Sequence, residues 1–367
     1  MKKTISTLVC FIITAILCVS SNAKVFTEKQ TLSTADLASF AETCLNVSSS
    51  VDADGSVVLT TKNIDVFVKR ASNVYHVSDA DIAKCIYREA GTSDNIIDSM
   101  PEDVLLAALN YKSCVATTSY IKINENNEKV QMTEDEMALE LSGLDSLTED
   151  GRLLVESKRA TITPSKTVTT SSDGYMKIVT VAYDMGHRQG DVSGRQYYDM
   201  SATATWLKMP FFRFEDVLAI TSSLTLDNNN SMYAYISATA VERTEKGDFV
   251  YTHRYGKNAN KNSPADGISI EFSAGFCGAA ARFDLPTFHL TNGHNVLTQE
   301  EMEAYISIRG SLYNCDGSVQ AAYAHKEVSL GGSISVTFSP KSIGFSVPFG
   351  VKVSKYYGEP LSLYWKD

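Results

Sequence analysis

The stretch from Tyr197 to Trp206 has a strict period of two. Tyr198, Met200, Ala202, Ala204 and Trp206 occupy one parity, and Tyr197, Asp199, Ser201, Thr203 and Thr205 the other. Side chains alternate across a pleated strand but recur every 3.6 residues on a helix, so this pattern admits a half-buried strand and excludes a helix. Trp206 is expected in a core, with the hydroxyl-rich parity in water. Pro210 offers no ladder donor, so the strand should stop near Met209 and Pro210, and Val217 to Ile220 should open the next.

The same alternation recurs towards the C-terminus. Met232 to Val241 and Ile268 to Cys277 read as strands with one buried face. Ile334, Val336 and Phe338 run into Ser339-Pro340-Lys341-Ser342, and Ile343, Phe345, Val347, Phe349, Val351 and Val353 return, which predicts a hairpin with Pro348 at an edge or bulge. Residues 168–184 read as a hairpin turning at 172–174, and Thr298 to Glu301 as a short helical turn. Two loops are expected, Met185 to Gln196 and His253 to Asn262.

Before residue 160 the signals are mainly helical. Ser33 with Asp36, Ser78 with Asp81, Ser99 with Glu102 and Thr133 with Glu136 have capping-box spacing, which supplies acceptors for the orphan amides of a first turn. Val104, Leu105, Ala108, Leu109 and Lys112 form one helical stripe, and Ile82, Cys85 and Ile86 another. Val57 to Leu59 and Ile64 to Val68 read as short strands, and Tyr120 to Met132 as a hairpin turning at Asn124 to Asn127. The expected chain therefore has a signal segment (1–23), a helical or α+β region (24–160) and an antiparallel β region (161–367). Mostly β with an α-rich N-terminal region is the fold class, a β-sandwich, with a barrel as the alternative.

Lys2 and Lys3 precede an apolar run from Leu8 to Val19, followed by Ser21-Asn22-Ala23, the pattern of a secretory signal cleaved after Ala23. The run is shorter than the about 20 residues of a membrane span, so a secreted product without a stable membrane span is expected. The chain carries 33 Lys plus Arg against 43 Asp plus Glu; removing Lys2 and Lys3 gives 31 minus 43, a net charge of −12. That balance argues against nucleic acid as a partner. Of the five cysteines beyond the signal, Cys277 and Cys315 are the two in the β region and the expected disulfide, with Cys85 and Cys114 the second choice; the odd count leaves at least one thiol over, and the pairing among Cys44, Cys85 and Cys114 stays open.

No catalytic signature is present. His76, His187, His253, His289, His294 and His325 form no metal-binding spacing, so neither metal nor cofactor is expected. Asp52-Ala53-Asp54-Gly55 reads as a turn, because a calcium loop would need acidic ligands where Ser50 and Thr61 stand. Gly275-Phe276-Cys277-Gly278 lacks the glycine spacing of a nucleophile elbow. The candidate ligand-binding residues are the basic groups of the two loops, His187, Arg188 and Arg195 in one and His253, Arg254 and Lys257 in the other, with Tyr233 and Tyr235 on the hydroxyl-rich parity. The sequence thus points to a non-enzymatic binder of an extracellular ligand, such as a glycan or another anionic surface component. A hydrolase with dispersed catalytic residues is the alternative, and a pore former inserting the hairpin from Gly332 to Ser354 the third reading.

Overall fold

The computed structural model describes residues 30–31, 33–51, 57–123, 129–146, 174–187, 191, 193–208, 210, 213–227, 232–260, 267–273, 277–327 and 331–364. The signal segment, the turns at 52–55 and 124–127, the first arm of the 168–184 hairpin and Arg188 lie outside these residues. The strands are β1 (Gln30–Thr31), β2 (Asn46–Val51), β3 (Val57–Asn63), β4 (Tyr75–His76), β5 (Ser113–Ile123), β6 (Lys129–Met132), β7 (Gly174–His187), β8 (Gln196–Lys208), β9 (Glu215–Ser222), β10 (Thr225–Leu226), β11 (Tyr233–Arg243), β12 (Phe249–Asn260), β13 (Ile268–Phe272), β14 (Gly278–Asp284), β15 (Val296–Leu312), β16 (Gly317–Lys326), β17 (Ser335–Ser339), β18 (Ser342–Ser346), β19 (Val353–Tyr357) and β20 (Leu361–Leu363). The helices are α1 (Thr34–Leu45), α2 (Ile64–Val74), α3 (Asp79–Glu89), α4 (Asp94–Ser99), α5 (Glu102–Leu106) and α6 (Glu134–Ser146), with a 3-10 turn at Ala107–Asn110.

Two open antiparallel sheets stack as a sandwich. The larger runs β12-β11-β15-β8-β7-β5-β3-β2, with β10 on β15 and β6 on β5; the smaller runs β13-β14-β9-β16-β19, with β20 on β16. Neither closes into a barrel. Because β5 pairs with β7, the larger sheet continues across residue 160, and the N-terminal region contributes strands to the same layer as the C-terminal one. Between the sheets, Met200, Ala202, Ala204 and Trp206 of β8 interdigitate with Leu218, Ile220, Ala321 and Tyr323. On the opposite face of the larger sheet, Val179, Val181, Tyr183, Tyr233 and Tyr305 pack under α1 to α5, which contribute Leu37, Phe67, Ile82, Ile86, Ile96 and Leu105. The β17–β18 hairpin covers the outer face of the smaller sheet with Ile343 and Phe345 on Val217, Ala219 and Ala324.

Capping chemistry places most of the helices. Ser33 and Ser78 accept from the amides of Asp36 and Asp81, and Thr133 and Glu136 complete a reciprocal box at 2.8 and 3.1 Å. Ser99 departs from its expectation: its hydroxyl donates to the Ile96 carbonyl at 2.6 Å, while Ser93 caps α4 by accepting from the Ile96 amide. Ile64 to Val68 is helix rather than strand, since Asn63 caps it through the Val66 amide and Ile64, Phe67 and Ala71 are buried at i, i+3 and i+7.

Four further expectations are corrected. Thr298 to Glu301 lies inside β15, where ladder pairing to β11 overrides the local helical signal. His253 to Asn260 is edge strand β12, hydrogen-bonded to β11; lacking a continuous apolar parity, it gives no period-two hydrophobic signal. The hydroxyl-rich parity of β8 is not wet, because the helical layer buries Ser201 and Thr203. The return arm of the last hairpin ends at Ser346 rather than Val353, with Pro348 in the following loop.

The expected Cys277–Cys315 disulfide is absent, and all five described cysteines are free thiols. The carbonyl of Cys277 accepts from the Ser222 amide at 2.7 Å, which sets it beside β9, whereas Cys315 sits in the β15–β16 turn. With β9 between β14 and β16, about 10 Å of sheet separates the two strands, beyond the about 7 Å reach of a disulfide. Cys85 and Cys114 are likewise unbridged and buried, and burial pushes the Cys114 thiol up to about 12.

Candidate functional site

Five tyrosines from separate elements converge between the helices and the larger sheet. Tyr87 comes from α3, Tyr111 from the link before β5, Tyr183 from β7, Tyr233 from β11 and Tyr305 from β15, and all are buried. The helical layer, ending here in the α5 turn and the 3-10 turn, does not fill the space above the strands. A cavity of ≈ 280 Å³ remains, lined by these tyrosines with Asp199, Arg309, Ser307 and Asn260 among others.

Arg309 donates to Asp199 through Nε at 2.5 Å and Nη2 at 2.7 Å, a two-pronged ion pair across β8 and β15. The Asp199 carboxylate holds the Arg309 pKa above its ordinary value. Tyr111 donates to the same carboxylate at 2.9 Å, and Tyr233 donates to the Ser99 carbonyl at 2.8 Å. Tyr87 Oη lies 3.0 Å from the Val104 carbonyl and 3.2 Å from Tyr111 Oη. With the Tyr111 proton on Asp199, the single Tyr87 proton must choose between those two acceptors. Burial raises the pKa of every phenol in the group, Tyr233 to about 12, so all five stay protonated near neutrality.

One hydroxyl is left over. Tyr183 Oη is buried and, although the Thr92 side chain approaches it, meets no partner in hydrogen-bond geometry. A buried, unsatisfied hydroxyl costs about 1–3 kcal/mol unless something in the cavity accepts its proton.

Of the residues singled out in the sequence, Tyr233 lines this cavity. Tyr235 lies across β12 instead: a Cβ on Gly256 would come within 2.6 Å of its hydroxyl. His187 Nδ1 is 2.9 Å from the Arg195 carbonyl, and Arg195 reaches Ser311 at 3.4 Å, both at the end of the β7–β8 hairpin. His253, Arg254 and Lys257 lie on β12. Gln196 pairs with Leu312, whereas His253 pairs with Ala240, between the partners of Glu301 and Thr298. Lys257 pairs with Ile236, the partner of Ala304, so the two basic islands are eight or more residues apart along β15, about 26 Å or more, and do not form one site.

His253 serves another cluster. Its Nε2 lies 2.7 Å from the buried Glu242 carboxylate, which also accepts from Thr291 and Asn295 and so ties the 291–295 loop to β11. Burial opposes the charge on Glu242, but the donors of Thr291, Asn295 and His253 outweigh it and push its pKa down to about 2.

A second buried carboxylate sits between the sheets. Asp216, 0% exposed, is 2.6 Å from Nδ1 of His325, which is 3% exposed. Tyr323 donates to the other Asp216 oxygen, and Trp206 Nε1 donates to Tyr323 at 3.0 Å. Burial raises the Asp216 pKa against the opposing pull of His325 and Tyr323. This network joins β8 to β9 and β16, and explains why Trp206 ends the alternating face of β8.

The sequence held no local signal for Tyr87, Tyr111, Tyr183 or Tyr305. Asp199 was legible as a charged residue on a strand, but Arg309 was not singled out, and their pairing required the register of β15. Among the described residues, no group of three or more His, Cys, Asp or Glu is placed to hold a metal ion, and no helix is long and apolar enough to cross a membrane. No protein-family model matches the chain, and neither does any curated protein.

Proposed function

We propose that this chain is an exported, non-enzymatic binding protein whose ligand occupies the tyrosine-lined cavity. The carrying observation is the unspent Tyr183 hydroxyl, buried beside a space of ≈ 280 Å³. That volume is just below the about 300 Å³ at which pockets for drug-sized ligands begin, so the ligand is small. Arg309 is already neutralised by Asp199, which leaves no uncompensated cation to draw an anion. Phenol rings beside hydroxyls and one free donor suit a neutral sugar or polyol, which offers C–H faces to the rings and oxygens to Tyr183. Export rests on the N-terminal sequence pattern. The hydrolase alternative has the Asp216–His325 pair to draw on, but that pair is buried between the two sheets, where it serves to hold them together.

Titration calorimetry with neutral hexoses and polyols tests the reading. Saturable heat from wild type, reduced about tenfold or more in affinity by Tyr183→Phe, is the expected outcome, since one hydrogen bond to a buried partner is worth about 1–2 kcal/mol. Tyr183→Phe should leave the melting temperature unchanged or slightly raised. Equal affinity in both proteins, or no saturable heat with any of these ligands, would remove the proposal.

A further inference from the structure

We infer that the loop from Val347 to Lys352 is a peripheral docking surface for an anionic lipid bilayer. Phe349 is 109% exposed, the furthest from burial of any large apolar side chain among the described residues. It is not a loose tail. The Val351 amide donates to the Pro348 carbonyl at 3.2 Å, and Gly350 has φ 86, so Pro348 to Val351 form a tight turn with the positive φ at its third position. Phe349 occupies the second position of that turn and is held outward. Both flanks are anchored: Val347 and Val351 pack against the core under the hairpin, and Pro348 lies so close to Gly332 that a Cβ there would come within 2.4 Å of its ring.

The surroundings of this turn carry the opposite charge to the chain as a whole, whose net charge is −10. Lys129, Lys352 and Lys355 line one shallow concavity together with Val347, Val351 and Val353. Glu327 and Glu359 reach into the same neighbourhood, Glu327 at 2.5 Å from Lys352 and Glu359 at 3.5 Å from Lys129, while Lys355 donates to the Phe345 carbonyl at 2.8 Å. Three ammonium groups thus stand against two carboxylates beside a projecting aromatic ring.

A projecting aromatic ring on an ordered turn with lysines beside it pairs an apolar anchor with cationic groups. It fits a bilayer interface, where the ring enters the acyl boundary and long lysine side chains reach back to anionic headgroups. Because the ring is already exposed and the turn already ordered, insertion requires no rearrangement of the fold. The site lies on the β17–β19 side of the smaller sheet and does not depend on the tyrosine-lined cavity.

Co-sedimentation of the full chain with vesicles tests this, using phosphatidylcholine alone and phosphatidylcholine with one third phosphatidylglycerol. Binding to the mixed vesicles, weakened by high salt and reduced about tenfold or more by Phe349→Ser, is expected. Phe349 touches no core, so the variant keeps the wild-type melting temperature. In Phe349→Trp, emission beyond that of wild type should shift to the blue when mixed vesicles are added. Equal binding by wild type and Phe349→Ser would mean plain charge attraction and would overturn the inference. So would the absence of binding, an unshifted emission, or equal pull-down by neutral vesicles at high salt.

Discussion

On the side of the larger sheet facing the smaller one, β8 presents Met200, Ala202, Ala204 and Trp206 to another pleated surface, and small and large side chains interdigitate. On its other side the same strand presents Asp199, Ser201, Thr203 and Thr205 to helices, and there polar groups are buried beside an unfilled space. The difference lies in what covers each face. A pleated partner meets a pleated surface at about 10 Å along its whole length. Short helices joined by capped turns meet it only at their apolar stripes, and the gaps between them are lined by whatever the strands supply. Here that is phenol and carboxylate. Each side accordingly has its own paired aspartate: Asp216 buried and closed into a network that joins the sheets, Asp199 partly exposed at the wall of a cavity.

The sharpest way to break this contrast is Trp206→Ala. It removes the largest side chain of the inner layer and the donor to Tyr323, and should cost about 3–5 kcal/mol in chemical denaturation. A loss below about 1 kcal/mol would show that the inner face is not the closely packed one. Phe345→Ala probes the thinner layer outside the smaller sheet and should cost about 3 kcal/mol. Dye release from liposomes by wild type, combined with little stability lost in this variant, would instead favour the pore-forming reading of the hairpin.

Asp199→Asn tests the helix-covered face. Arg309 loses its counter-charge but is 24% exposed through its side chain, so water relieves part of the penalty and about 1–2 kcal/mol is expected. A loss as large as that of Trp206→Ala would mean the cavity wall is as tightly built as the inner core. The smallest effects are those of two glutamates with opposite electrostatics. Burial raises the Glu303 pKa against weaker help from Ser93 and Thr205. Its contribution is therefore present below the ordinary carboxylate range and lost as pH rises through its folded value. Glu303→Gln should raise the melting temperature by roughly 2 °C at pH 7 and lose that advantage on acidification. Glu242, pushed down to about 2, contributes above the ordinary range and loses its contribution as pH falls towards that value. Glu242→Gln should melt lower than wild type at neutral pH and converge with it near pH 2. The same sign of pH response in both variants would contradict the two environments.

The inner face was readable because alternation encodes it directly: Met200 to Trp206 and Met232 to Ala240 lie where their parity says. The sandwich and the helical start of the chain followed from such patterns and from capping pairs. The outer face was not readable in the same way, since a hydroxyl-rich parity carries no mark of whether a helical layer will cover it. β12 and the first part of β15 escaped for a related reason. An edge strand needs no apolar run, and Thr298 to Glu301 resembles a helix start until Glu301 is seen paired with Thr239. The cavity depended on five tyrosines whose separation in sequence hides their convergence. Tyr233 alone was singled out, for the hydroxyl-rich parity it shares with Tyr235.

The placement of β15 sets the order in which the molecule can be assembled. Its long run from Val296 to Leu312 is inserted between β8 and β11, both of which precede it in the chain. Until those residues are available, the larger sheet exists as two fragments, one ending at β8 and one consisting of the β11–β12 hairpin, each with a bare row of amides and carbonyls. A nascent chain must keep both edges from pairing with neighbouring molecules while it waits for the strand that joins them. Formation of the native sheet is then governed by distant encounters, such as Trp206 with Met302, which makes folding slow and late. A chain interrupted before Val296 would hold nearly every strand of that sheet and still be unable to build it.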